Sequence, residues 1–133
     1  MPYVYTRLSN HLTYIRLTEE PTREDDDQHV EASRKLLDGA GELQYFLVDF
    51  RGGVTTNLGT ISKLAELARH PRFGASVAFS SERIRQLYSQ LFTAMADQGL
   101  DRDFFETGPE AVAYLETVKP GLTVGIDWTR VLK

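Results

Sequence analysis

Hydrophobic and polar positions alternate from Tyr3 to Leu17. Val4, Thr6 and Leu8 share one parity, and Tyr3, Tyr5 and Arg7 the other. After Ser9-Asn10-His11 the alternation resumes in Leu12-Thr13-Tyr14-Ile15-Arg16-Leu17, with Thr13, Ile15 and Leu17 on one face. Two such runs around a Ser-Asn turn predict a β-hairpin with one buried face. Asn10 can supply the left-handed conformation of a tight turn. The period then changes. Val30, Ser33, Leu36 and Leu37 form an apolar stripe, which predicts a helix running to about Leu37. Thr22 is its N-cap, and Glu24 to Asp27 fill a first turn where the helix dipole favours carboxylates. Asp38-Gly39-Ala40-Gly41 stops it, with Gly39 as the residue after the cap.

Gln44 to Phe50 is apolar on both parities, as a central strand buried on both faces should be. Its glycine- and hydroxyl-rich continuation, Arg51 to Thr60, leads into a second helix carrying Ile61, Leu64, Ala65, Leu67 and Ala68. His70-Pro71 ends that helix. Ala75 to Phe79 reads as a fourth strand. Ser80 or Ser81 then caps what the pattern predicts as the longest helix, with Ile84, Leu87, Tyr88, Leu91, Phe92 and Met95 on its apolar stripe and Gly99 at its end. Asp103 to Thr107 is a fifth, short strand. Pro109 at a first helical position opens a last helix through about Thr117. Lys119-Pro120-Gly121 breaks it. Leu122 to Lys133, which holds Trp128, is left as a sixth strand, an arm docking on a second subunit, or a mobile end.

The order is ββαβαβαβα plus a tail. The economical arrangement is one α/β sandwich, a mixed β-sheet with about four helices, over 1–117, followed by a tail or extra strand over 118–133 that could form part of a dimer contact. A length of 133 residues suits one core. Composition narrows the function classes. Hydrophobic residues at 41% and charged residues at 26% are ordinary globular values. A net charge of −4 speaks against a nucleic-acid partner. No cysteine means no disulfide framework, thiolate metal site or thiol nucleophile. The opening residues lack the apolar core of a signal peptide, and no apolar run approaches the roughly 20 residues that span a bilayer. The expectation is a cytoplasmic protein.

The loop Arg51-Gly52-Gly53-Val54-Thr55-Thr56-Asn57-Leu58-Gly59-Thr60 follows a central strand, where open α/β sheets carry their functional atoms. Glycine amides and a helix N-terminus can cradle an anion, with Thr55, Thr56, Asn57 and Thr60 as further partners. The plainer reading is a strand-to-helix turn in which Gly52 and Gly53 supply positive φ and Asn57 or Thr60 caps the helix. It is not a nucleotide P-loop: five residues separate Gly53 from Gly59 rather than four, and no lysine follows. Asp49, closing the strand, could hold a ligand or could accept hydrogen bonds from the loop's amides. Arg69-His70-Pro71-Arg72 could meet an acidic partner or a phosphate, or simply complement a helix end. Glu24 to Asp27 with His29 lacks the spacing of a calcium loop or zinc pair, so no metal or other cofactor is expected. His11, His29 and His70 are expected to be exposed. No nucleophile is paired with a base, so no catalytic residue is assigned and the chain is not expected to be an enzyme.

The element order and two short motifs resemble the STAS, or SpoIIAA-like, family of anti-sigma-factor-antagonist domains. In that family a central strand ends in Asp-Leu-Ser-Gly-Val, and a loop reading Asp-Ser-Ser-Gly precedes the second helix. Here the strand ends Val48-Asp49-Phe50-Arg51-Gly52-Gly53-Val54 and the loop reads Thr56-Asn57-Leu58-Gly59. Asp49 and Gly59 match; the family's phosphorylatable serine falls on Asn57. Thr55, Thr56 and Thr60 remain as nearby acceptors. Phe105-Glu106-Thr107-Gly108-Pro109-Glu110-Ala111-Val112-Ala113-Tyr114-Leu115 is similar to the family's closing segment. The resemblance implies a non-enzymatic regulatory or protein-interaction module, working through Asp49 and the 51–60 loop on a kinase or anti-sigma-type protein. The alternative is a small-molecule or lipid carrier with an apolar cavity beneath the 81–98 helix, lined by Tyr88, Phe92, Met95, Phe104 and Phe105, residues that core packing explains equally.

Overall fold

A computed structural model describes residues 2–98 and 104–133. The predicted closing Gly99 and opening Asp103 lie outside the described residues. Strands β1 (Tyr3–Arg7), β2 (Leu12–Leu17), β3 (Gln44–Asp49), β4 (Phe73–Phe79) and β5 (Phe104–Phe105) form one sheet in sequence order among the described residues. β1 pairs antiparallel with β2, and every later pair is parallel. The loops after β2 to β5 therefore gather at one end of the sheet.

β2 is an interior strand rather than half of a one-faced hairpin. Leu12, Thr13, Tyr14, Ile15 and Leu17 are all buried, because helices cover both faces. Apart from Arg16, the exposed residues of the two strands fall on β1, the edge. The hairpin turn needs no left-handed residue: among the described residues only Gly121 and Gly125 have positive φ.

On one face, α1 (Arg23–Asp38) and α2 (Leu58–Leu67) pack over Ile15, Leu17 and Phe46. Thr22 caps α1 as its sequence predicts and forms a capping box with Asp25. Gly39 is its C-cap but sits in the right-handed region. On the other face, α5 (Gly108–Val118) sets Ala111 and Leu115 against Leu12, Leu47, Val77 and Phe79. The tail joins this second core. It is neither a strand nor a free end: Leu122 is buried, and the short helix α6 (Trp128–Val131) lays Trp128 and Val131 on the same cluster. The Trp128 indole N–H donates to Thr123 O at 3.0 Å.

The helix predicted over 81–98 is two helices, α3 (Glu82–Leu87) and α4 (Ser89–Asp97), and α1 is the longest. Tyr88 leaves helical geometry (φ −119°, ψ 36°) with no glycine or proline to mark the break. The bend lets Ile84, Tyr88 and Leu91 reach the same small core as Phe92 and Met95, around Val54 and Ile61.

Candidate functional site

β3 delivers Asp49 to the carboxyl end of the sheet, fully buried. Its carboxylate accepts from the Arg51 backbone amide at 2.9 Å, from Arg51 Nε at 3.0 Å and from Arg51 Nη2 at 2.8 Å. The Tyr14 hydroxyl on β2 donates to Asp49 Oδ2, which also accepts from Arg51 Nη2. Burial works to raise the Asp49 pKa, but the Arg51 guanidinium and the Tyr14 hydroxyl outweigh it and hold the carboxyl below its ordinary value. Tyr14 is pushed up to about 12, chiefly by burial. Arg51 also donates to Leu132 O at 2.9 Å and lies over the Phe79 ring. Asp49 thus fastens the loop, and Arg51 carries that anchor across to the tail.

Gly52 and Gly53 do not serve as positive-φ residues. They let the loop pass against the backbone that follows β2. A Cβ on Gly52 would stand 2.3 Å from Leu17 O, and one on Gly53 2.6 Å from Glu19 C. Beyond them the chain turns inward. Val54 is fully buried and Thr55 nearly so. The Thr55 hydroxyl donates to Asp26 Oδ2 at 2.6 Å, and Tyr3 donates to Asp26 Oδ1 at 2.7 Å. Asn57 then caps α2, accepting from the Gly59 and Thr60 amides at 2.9 and 3.3 Å. Several amides that could have cradled an anion are thereby satisfied within the loop.

Asp49, Arg51, Gly52, Gly53, Thr55, Thr56, Asn57, Gly59 and Thr60 thus lie in one continuous segment, but they face different ways. Thr55 and Thr60 are each 2% exposed and belong to the interior. Thr56, Gly59 and Leu58 face outward, with Leu58 59% exposed at the first position of α2.

Asp26 and His29 escape the sequence reading. Asp26 sits in an acidic run that looks solvated, yet it is buried on α1. His29, expected to be exposed, is buried as well. It stacks on Tyr3 with ring centroids 4.0 Å apart, and its Nδ1 shares a hydrogen bond with the Tyr5 hydroxyl. Burial lowers its pKa to about 4, so the ring is neutral near pH 7. The signal was present: 26, 30, 33 and 37 are spaced four, three and four apart, so Asp26 shares the stripe of Val30, Ser33 and Leu37. Elsewhere, His70 Nε2 meets Asp38 Oδ1 at 2.8 Å and ties the end of α2 to the end of α1.

A cavity of about 230 Å³ lies between the sheet and the α1–α2 layer. Phe46, Val48 and Ala78 form its floor, and Ser33, Leu37 and Leu64 its roof. Of the five residues expected to line a space beneath the 81–98 segment, Met95 and Phe104 reach this cavity. Phe92 instead packs edge-on against Phe104 at 4.8 Å. The small side chains Ser76 and Ala78, opposite Phe46 and Val48 on β4, open the space.

No family model matches the chain, and no curated protein matches it. A solved structure does: that of the anti-sigma factor antagonist SpoIIAA in its unphosphorylated form. It aligns with a TM-score of 0.60 at 16% identity, over 86% of this chain and 96% of that one. The fold is SpoIIAA-like. The expected α/β sandwich with a mixed sheet is the one observed. Among the described residues no helix is long and apolar enough to cross a membrane.

Proposed function

We propose that the chain is a cytoplasmic, non-enzymatic regulatory module that docks a protein partner through the outer rim of the 51–60 loop and the first turn of α2. The carrying observation is Leu58, large, apolar and 59% exposed, on a segment fixed behind it by Asp49–Arg51, Thr55–Asp26 and the Asn57 cap. Rigid anchoring lowers the ordering cost that a partner would otherwise meet. The SpoIIAA-like fold supports a kinase or anti-sigma-type regulator as that partner. Thr56 is the exposed hydroxyl of the loop, and a phosphate there would place close to two negative charges beside the α2 N-terminus. Thr55 and Thr60 are too buried to serve as acceptors.

The test is capture from native lysate by tagged wild-type chain and by Leu58→Asp, with the captured proteins identified by mass spectrometry. Leu58→Asp loses a kinase- or anti-sigma-type protein that the wild type retains, while its stability stays within about 0.5 kcal/mol, as expected for an exposed site. Equal capture by both overturns the reading. The cavity between the sheet and α1–α2 supports a second reading, in which the chain also holds a small apolar molecule.

A further inference from the structure

The cavity's polar residues are confined to a few positions. Tyr3, His29, Ser33, Thr55 and Ser76 line it among mostly aliphatic and aromatic side chains, and among the described residues no lysine or arginine lines it. Tyr3 and Thr55 spend their hydroxyl protons on the two oxygens of Asp26. Ser33 and His29 lie one turn apart on α1, on the face that roofs the cavity.

We propose that this cavity binds an uncharged, ring-sized organic molecule bearing one hydroxyl group, such as a phenol or cyclic alcohol, and that its occupancy is transmitted to the 51–60 loop through Thr55 and Asp26. The proposal rests on the carrier reading and adds the ligand's charge, size and effect.

Charge follows from the lining. An anion would lie near the Asp26 carboxylate with no lysine or arginine among the described lining residues, and Arg85 is engaged over the Phe92 and Phe104 rings, so burying it there is expensive. A cation could pair with Asp26 only by displacing Tyr3 or Thr55 from it. An uncharged group that both donates and accepts can meet Ser33 and the neutral His29 ring whichever ring nitrogen carries the proton. Size follows from volume: an apolar protein cavity of about 150 Å³ accepts benzene, and this one is about 230 Å³. Shape follows from the walls, where Phe46, Phe50, Phe73 and Phe104 offer ring faces and edges.

Transmission follows from Thr55. It lines the cavity, donates to Asp26, and accepts the Asn57 backbone N–H at 3.2 Å. Asn57 is the cap of α2. A molecule seated against Thr55 therefore touches the residue that sets where the rim begins.

The experiment titrates the full chain with 2-naphthol and with 2-naphthoate, which share a ring system and differ in charge at pH 7. Naphthol fluorescence saturates at one molecule per chain, and naphthoate binds at least about tenfold more weakly. Ala78→Leu, which fills the floor, abolishes naphthol binding; Ser76→Leu serves if that variant does not fold. The amide resonances of Thr56, Asn57 and Leu58 move with naphthol saturation, and they stop responding in Thr55→Val, which keeps the side chain's outline and removes its bond to Asp26. If neither compound binds, or if both filled variants bind as the wild type does, the carrier reading fails and the inference with it. If naphthoate binds as tightly as naphthol, the carrier reading stands and the charge argument is overturned. Binding without a response at residues 56 to 58 overturns the transmission.

Discussion

His29 shows how burial changes what a residue does. Its pKa lies near 4 in the folded chain against 6.5 unperturbed, because the desolvated ring resists charge. Above pH 6.5 the ring is neutral in both states and contributes no pH dependence. Between pH 6.5 and 4 the unfolded chain takes a proton that the folded chain refuses. Stability therefore falls as pH drops through that window, by roughly 3 kcal/mol at its lower end. The carboxyls held low, Asp25, Asp49 and Glu116, act only below their unperturbed values of 3.8 for the aspartates and 4.5 for the glutamate. Their losses begin near where that of His29 ends. His29→Phe keeps a ring in the Tyr3 stack and removes the titration. Its urea midpoint should change much less between pH 6.5 and 5 than that of the wild type; equal slopes would show that His29 is not the group responsible. The sequence concealed this because polarity was read residue by residue. Position on the α1 stripe was the better guide, and it would have found Asp26 by the same count.

At the level of elements, periodicity carried most of the information. The β3 run was legible because both parities are apolar, and Thr22, Asn57 and Ser81 were legible as caps, whereas Thr107, assigned to the fifth strand, is the cap of α5. What failed was the physical reason assigned to particular residues. Gly52 and Gly53 were expected for their φ, but what they provide is clearance from the chain after β2. That contact joins residues about 35 apart, and no local pattern encodes it. The two explanations predict different outcomes. Gly52→Ala drives a methyl into the Leu17 carbonyl, a backbone atom that cannot swing away, and should cost more than about 2 kcal/mol in urea unfolding. Gly41→Ala has nothing within 4 Å of its added carbon and should stay within about 0.5 kcal/mol. A mild Gly52→Ala would mean that the loop can lift off β2, and with it the rigidity on which the docking surface depends. The break at Tyr88 was illegible for a related reason: the stripe from Ile84 to Met95 continues through it, and the bend answers a core contributed by Val54 and Ile61.

Across the whole molecule, the sheet order follows from simple alternation of strands and helices, but the seating of the tail does not. Leu122 to Lys133 lies on the α5 face, where Leu122, Trp128 and Val131 complete a core begun by Leu12 and Phe79. Its far end is held by the Arg51 bond to Leu132, 81 residues away. Arg51 therefore links Asp49, at the base of the proposed docking loop, to the tail on the α5 face of the sheet. Ending the chain after Lys119 removes this cover. The shortened chain should unfold at lower urea, bind 8-anilinonaphthalene-1-sulfonate at the uncovered face, and show a smaller m-value because less surface is buried on folding. Naphthol binding should survive, since the cavity lies across the sheet from the tail and draws no lining residue from beyond Phe104. An unchanged urea midpoint would show that the tail rests on the core without contributing to it. Losing naphthol binding while the chain stays folded would show instead that the sheet couples its two faces, and that the Asp49–Arg51 anchor, not Asp26 alone, fixes the geometry of the cavity.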